Sequence, residues 1–323
     1  MSELRYNPFL DTYTIVAANR QYRPHLPKEN CPFCPAEGKL PPYDILVYPN
    51  DFPALSFNAP SFDPPNSSFF VKKQAYGACE VILYSPHHEL RFCQLPVNQI
   101  FKICNLWKER FNFYQNDPQI KYIYPFENNG EEVGVTIHHP HGQLYAYSWI
   151  PPKIRTELDN CFKYYQTHHQ PLIKVWLEHE KQENLRIVYE NDHFIALIPF
   201  FTDYPYGVQI VDKLLTPNIG EMNENQLFSL ALALKYVTFA FDKIFDRPFP
   251  YMLCVHQTPV NDEHYKLAAQ YYSFHIEFYP PLREKDKIKW YASSEMGAGA
   301  ATNTKYVEET AIHLRKIIQN LKF

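Results

Sequence analysis

Hydrophobic positions in the chain follow two periods in turn. Between residues 42 and 84, short β-branched and aromatic runs (DILVYPND, SSFFVKK, CEVILYSP) are separated by proline-rich turns such as FNAPSFDPPN, and each run predicts a strand. From 96 to 117 the period lengthens. Ile100, Ile103, Cys104, Trp107 and Phe111 recur at helical spacing behind Pro96, predicting a helix with those side chains inward. YIYPFEN and VGVTIHHPHGQLYAYSWI predict the strands that follow, and a helix with charged and aromatic faces is expected at about 152–182.

The same order then returns. LRIVYEN, HFIALIPF and YGVQIVDK predict strands, NENQLFSLALALKYVTFAFDKIF a helix, and YMLCVHQTP and YYSFHIEFYPP two more strands. HGQLYAY at 141 and HIEFYPP at 275 occupy the same place in that order, and each opens on a histidine followed by apolar and aromatic residues. The expected architecture is a duplicated α+β unit with halves 1–180 and 181–323, closed by a last helix in TKYVEETAIHLRKIIQNLKF.

Composition narrows the function classes. The 323 residues are 46% hydrophobic, enough for a sizeable core, and a net charge of −4 with mixed signs leaves no basic field for a nucleic-acid backbone. No apolar run approaches the roughly 20 residues that span a bilayer, and the start, MSELRYNPFLDTYTIVAANRQYRP, has no signal-peptide core, so a cytoplasmic protein is expected. Seven cysteines without the spacing of a disulfide framework fit a reducing compartment. Glycine-rich phosphate loops of the G-x-G-x-x-G and G-x-x-x-x-G-K-[ST] kinds do not occur.

Two motifs carry chemistry. In NCPFCPAEG, Cys31 and Cys34 form a C-x-x-C pair whose flanking prolines suit a tight zinc knuckle; the alternative is two ordinary buried cysteines. One of His87 and His88 in SPHHE, with one of His138 and His139 in HHPH, would complete a closed Cys2His2 site. Read as a strand, HHPHGQ projects His139, His141 and Gln143 to one face and Pro140 and Gly142 to the other. With His139 on a metal, His141 is held rigidly with a ring nitrogen able to attack an electrophile. The competing reading is a half-polar edge strand with incidental histidines.

GVTIHHPHGQLYAYSWIPP resembles the H-P-H-G-Q motif of galactose-1-phosphate uridylyltransferases, a branch of the histidine-triad superfamily. CPFCP, PNDFPAL, VILYSPHH, PFENNG, HIEFYPPL and KWYASSEM resemble further blocks of that family in the same order, over roughly residues 12 to 300. The resemblance implies a duplicated histidine-triad-like fold, with antiparallel half-barrel sheets and flanking helices, in a homodimer. It also implies ping-pong transfer of UMP between UDP-glucose and galactose 1-phosphate. By position, His141 would be the nucleophile and Gln143 would hold the phosphate. A phosphate monoester, with its second pKa of about 6, leaves without an acid, so an amide suffices as a donor to the non-bridging oxygen.

The same resemblance assigns the zinc ligands to Cys31, Cys34, His88 and His139. It gives nucleotide and phosphate contacts to Arg20, Arg23, Asn50, Asp51, Phe52, Asn128, Gly134 and Thr136, and sugar contacts to Lys289 and Glu295. A second site for zinc or iron would map to Glu157, His256, His275 and Glu277, although the family commonly has histidine at the last position; a hydrogen-bonded polar cluster is the alternative. Ala292 and Ser294 stand where the family has larger residues, and GAGAATNT follows, so the sugar end departs from the pattern. Within the superfamily the competing activity is a nucleotidyltransferase or phosphorylase using ADP-sugars or dinucleoside polyphosphates. A zinc-stabilised nucleotide-binding protein without turnover is the reading from another class.

Overall fold

The computed structural model of the chain describes residues 2–22, 31–35 and 40–321. The strands in chain order are β1 (Ser2–Asn7), β2 (Thr12–Ala17), β3 (Leu46–Pro49), β4 (Lys72–Gln74), β5 (Gly77–Leu83), β6 (Tyr122–Asn129) and β7 (His141–Tyr147). They continue with β8 (Ile187–Glu190), β9 (Phe194–Leu197), β10 (Gln209–Asp212), β11 (Tyr251–His256), β12 (His275–Tyr279), β13 (Leu282–Glu284) and β14 (Lys287–Ile288). The helices are α1 (Val97–Tyr114), α2 (Pro152–His168), α3 (Leu172–Glu183), α4 (Glu224–Ile244) and α5 (Val307–Gln319).

One open antiparallel sheet of nine strands runs through both halves in the order β3-β5-β7-β6-β11-β12-β10-β9-β8. The duplication is written in that order: β3-β5-β7-β6 is matched, reversed, by β11-β12-β10-β9, with α1 preceding β6 in sequence and α4 preceding β11. His141 pairs with Leu83 of β5 as His275 pairs with Val211 of β10. Phe126 faces Gln143 and Cys254 faces Glu277, and these two equivalent positions, Phe126 and Cys254, pair with each other across β6 and β11. A local two-fold axis therefore passes through the middle of the sheet.

Alternation along the strands sends Ile82, Ile123, Leu144, Ala146, Leu253 and Ile276 to one face, where they pack under α1, α4 and α5. The five α1 residues expected inward are all buried, and full burial of each such side chain contributes about 1.5–3 kcal/mol. α4 begins at a reciprocal cap in which the Asn223 side chain accepts from Gln226 N and the Gln226 side chain accepts from Asn223 N. The other sheet face carries Cys79, Val81, Leu83 and Tyr145 and is covered by the Cys31–Cys34 turn and a small sheet, order β2-β1-β4. No described helix is long and apolar enough to cross a membrane.

Three expected elements come out differently. SSFFVKK yields only β4, paired to β1 outside the main sheet, and Phe69 and Phe70 are exposed. The single helix expected at 152–182 is two, because His169 takes a left-handed conformation (φ 54°) and Pro171 cannot continue a helix. The long strand expected from Val133 starts only at His141; Gly134 (φ 85°) and Pro140 keep the preceding residues irregular. The hairpin of β1 and β2, and that of β13 and β14, lie in segments for which no strand was predicted.

Candidate active site and metal clusters

Cys31, Cys34, His88 and His139 come together from three separate segments of chain, with ligand atoms within 4.8 Å of one another. Nδ1 of His139 is 3.8 Å from Cys31 Sγ and 3.6 Å from Cys34 Sγ, and Nδ1 of His88 is 3.4 Å from Cys34 Sγ. A tetrahedral zinc with the usual bond lengths sets S···N edges of about 3.6 Å, so these residues fit that ion. Burial pushes the His139 imidazole down to about 4, leaving it neutral near pH 7 as a ligand must be. Its Nε2 lies 2.7 Å from both the Ser85 carbonyl and the Tyr43 hydroxyl, which fix the ring. His87 and His138 are exposed, the latter 3.2 Å from Glu131.

β7 begins beside this cluster. His141 Nδ1 is 2.7 Å from the His139 carbonyl; a carbonyl only accepts, so Nδ1 carries the proton and Nε2 the lone pair. Phe33, between the two cysteines, places its ring 6.0 Å from His139 and 5.7 Å from His141 and so links the knuckle to both histidines. Two residues on, Gln143 is buried on the same face of the strand. His139, expected as part of the same strand, precedes it, and its backbone carbonyl rather than its side chain orients His141.

A cleft of about 100 Å³ gathers Arg20, Asn128, Gly134, Thr136, His141 and Gln143, six residues to which the family resemblance gives nucleotide, phosphate or catalytic roles. Arg20 donates to the Tyr145 hydroxyl at 3.2 Å and to the Phe52 carbonyl at 3.5 Å, which brings the Asn50–Phe52 turn alongside. Asn50 Oδ1 accepts from Phe52 N at 2.9 Å, and Asp51 Oδ1 accepts from the Tyr48 hydroxyl at 2.9 Å. Arg23 lies outside the described residues.

The second histidine-led strand repeats the first closely. His275 Nδ1 is 3.0 Å from the carbonyl two residues earlier, Ser273, as His141 is from His139. Its surroundings differ. Glu157, His256 and His275 lie within 4.8 Å of one another, but Glu277 is held by Lys153 Nζ and Gln209 Nε2, each at 2.6 Å, and by the Tyr279 hydroxyl. Burial works against charge on His256, and Glu157 and Glu277 outweigh it and raise its pKa; burial and the neighbouring His256 lower that of His275.

Lys289 and Glu295 stand apart from His141. Glu295 lines another cleft, of about 480 Å³, with Lys153, Tyr204, Tyr279 and Tyr291. Lys289 is buried, with Nζ 5.0 and 4.3 Å from the ring centres of Tyr204 and Tyr291 and no hydrogen-bond partner among the described residues. Glu295 accepts from Ala292 N at 3.1 Å and caps the turn Ser293–Gly297. Tyr43, Phe33, Lys153 and Tyr204 were not singled out in the sequence, since each acts through a partner distant along the chain.

Comparison with known proteins places the fold. A solved structure titled as a uridylyltransferase superposes with a TM-score of 0.88 at 31% identity, covering 99% of this chain and 100% of the other. An ADP-glucose phosphorylase from Arabidopsis thaliana, solved with ADP-glucose, gives 0.75 at 22% over all of both chains, which shows a shared fold alone. The architecture is thus that of the uridylyltransferases, a duplicated α+β unit joined into one sheet.

The model described as galactose-1-phosphate uridyl transferase, N-terminal domain, matches residues 1–151, and that of the C-terminal domain residues 157–319. The galactose-1-phosphate uridylyltransferase of Thermotoga maritima is 38% identical over 318 residues, 98% of each chain. The chain belongs to the galactose-1-phosphate uridylyltransferase family.

Proposed function

We propose that the protein transfers a uridylyl group between UDP-glucose and galactose 1-phosphate through a covalent intermediate on His141. Nε2 attacks the α-phosphorus, a P–N bond forms, the bond to the bridging oxygen breaks, and glucose 1-phosphate leaves with the electron pair. Galactose 1-phosphate then attacks the same phosphorus through a phosphate oxygen and displaces the imidazole. The observation that carries this reading is the 2.7 Å contact of Nδ1 with the His139 carbonyl, which keeps the lone pair on Nε2. Gln143 is the donor to the non-bridging oxygen, and it supplies no base to activate water, so transfer prevails over hydrolysis.

Arg20 offers its guanidinium fork to the diphosphate, with Arg23 its expected companion. Asn50, Asp51, Phe52, Asn128, Gly134 and Thr136 take the nucleotide. Cys31, Cys34, His88 and His139 would hold zinc, whose part is to fix the strand's approach rather than to react. Lys289 and Glu295 receive the sugar phosphate. Glu295 and the rings beside Lys289, Tyr204 and Tyr291, line a cleft separate from that of His141, and Trp290 and Met296, next to these residues in the chain, are exposed, which fits a second copy of the chain as the partner that unites the two ends. None of the seven cysteines is in a disulfide, in keeping with a cytoplasmic setting.

The test is labelling. Protein given UDP-glucose with ³²P at the α-phosphate should retain acid-labile label and release glucose 1-phosphate; ADP-glucose labelled in the same way should leave none. His141→Ala should take up no label, and sugar-phosphate exchange surviving in that variant would overturn the covalent route.

A further inference from the structure

We infer that Lys153 takes the place of a metal ion at the second cluster, so that Glu157, His256, His275 and Glu277 form a metal-free ion-pair network. At the first cluster one nitrogen of each histidine points toward the thiols at S···N distances of 3.4–3.8 Å. At the second, Glu157, His256 and His275 come within 4.8 Å of one another, but Glu277 is drawn off to Lys153 and does not complete the set. His256 turns Nδ1 to Glu157 at 2.9 Å and Nε2 to Glu277 at 3.8 Å. The lone pairs of the two nitrogens of an imidazole diverge, so while Lys153 holds Glu277 against Nε2 the ring cannot share one ion with both carboxylates; an ion there requires the ammonium to leave.

The carboxylates are also engaged elsewhere. Glu157 Oε2 accepts from the Tyr272 hydroxyl at 2.6 Å as well as facing His256. Glu277 Oε1 takes Gln209 Nε2 at 2.6 Å, while Oε2 takes Lys153 Nζ at 2.6 Å and the Tyr279 hydroxyl. Lys153 stands in the first turn of α2, where the helix dipole disfavours a cation, so the carboxylate is what holds it there. Its ammonium supplies a positive charge to two clustered carboxylates, and it ties α2 to β12 as a shared metal ligand set would. Its side chain is 57% exposed and reaches the cluster from the solvent side, so removing it opens a path to the ligands.

Metal counting tests the inference independently of the transfer chemistry, because the cluster is read whether or not His141 accepts a uridylyl group. Full-length wild type, His256→Ala and Lys153→Met are saturated with zinc chloride, desalted and analysed by plasma mass spectrometry. The difference between proteins cancels zinc bound at the first cluster. Wild type and His256→Ala should carry the same number of zinc ions per chain. Lys153→Met, which deletes the ammonium bound to Glu277 Oε2, should carry one more, and adding His256→Ala should remove it again. One fewer ion in His256→Ala than in wild type overturns the inference, as does a Lys153→Met count equal to wild type. Should His256→Ala fail to fold, His275→Asn reads the same difference.

Discussion

Glu127 lies on the helix-covered face of β6, 4% exposed, with the Tyr251 hydroxyl donating to it at 3.0 Å. Burial pushes its carboxyl up to about 8, so the folded protein holds a proton there that the unfolded chain releases near 4.5. Between those values the folded state binds more protons, and stability falls as pH rises through the window, by at most about 5 kcal/mol at 1.36 kcal/mol per unit. Glu127→Gln, neutral at every pH, should therefore melt higher than wild type at pH 8.5, with the gap closing by pH 5; parallel melting curves in the two buffers would refute this. At the other residue of interest, Gln143→His supplies a titratable base beside the phosphorus. Hydrolysis of UDP-glucose without acceptor should rise relative to transfer, as read by the ratio of glucose 1-phosphate released with and without galactose 1-phosphate. What the sequence disclosed at this scale were residues in compact motifs: His141 and Gln143 two apart, Cys31 and Cys34 three apart. Tyr43 behind His139 and Lys153 on Glu277 were hidden, because their partners lie 96 and 124 positions away and no local pattern joins them.

β7 depends on the glycine between its proposed nucleophile and its proposed phosphate donor. A Cβ at Gly142 would overlap the Tyr84 hydroxyl and stand 2.7 Å from the ring carbon that bears it. Gly142→Ala should cost about 1–3 kcal/mol, the usual range for overpacking a core, and should lower the transfer rate by shifting His141. Combining it with Tyr84→Phe removes the nearest obstructing atom and should recover part of the loss in calorimetry; a fully additive double variant would count against the steric cause. Elements with a clear period were legible: α1 and α4 from their 3.6 spacing, and β5, β7, β11 and β12 from their apolar runs. The break between α2 and α3 was signalled by Pro171 but masked by helix-favouring residues on both sides. β1 and β2 alternate only partly and pack a thin layer, so their burial pattern carries little period-two signal.

At the scale of the whole molecule the knuckle and the sheet hold different things together. If the first cluster holds the proposed zinc, Cys34→Ser should abolish its binding and lower the melting temperature, since residues 31, 88 and 139 lose their shared tie; metal analysis with calorimetry checks both. Duplication was legible from element order alone. The joining of both halves into one sheet was not, because edge-to-edge pairing of β6 with β11 leaves no trace in either strand's composition. Cutting the chain at 180 would bare those two edges. Fragments 1–180 and 181–323 should be insoluble when made singly and should recover labelling at His141 when co-expressed.

That central seam, with Phe126 set against Cys254, has the geometry of a contact between two identical subunits. In an assembly of identical chains every change is made twice, and both histidine-led strands would have to stay alike. Covalent fusion lifts that constraint. One strand can keep His141 and Gln143 for a reacting phosphate while its twin, with His275 and Glu277, is free to become a salt-bridged brace; the asymmetry between them exists only because the two copies are spelled separately.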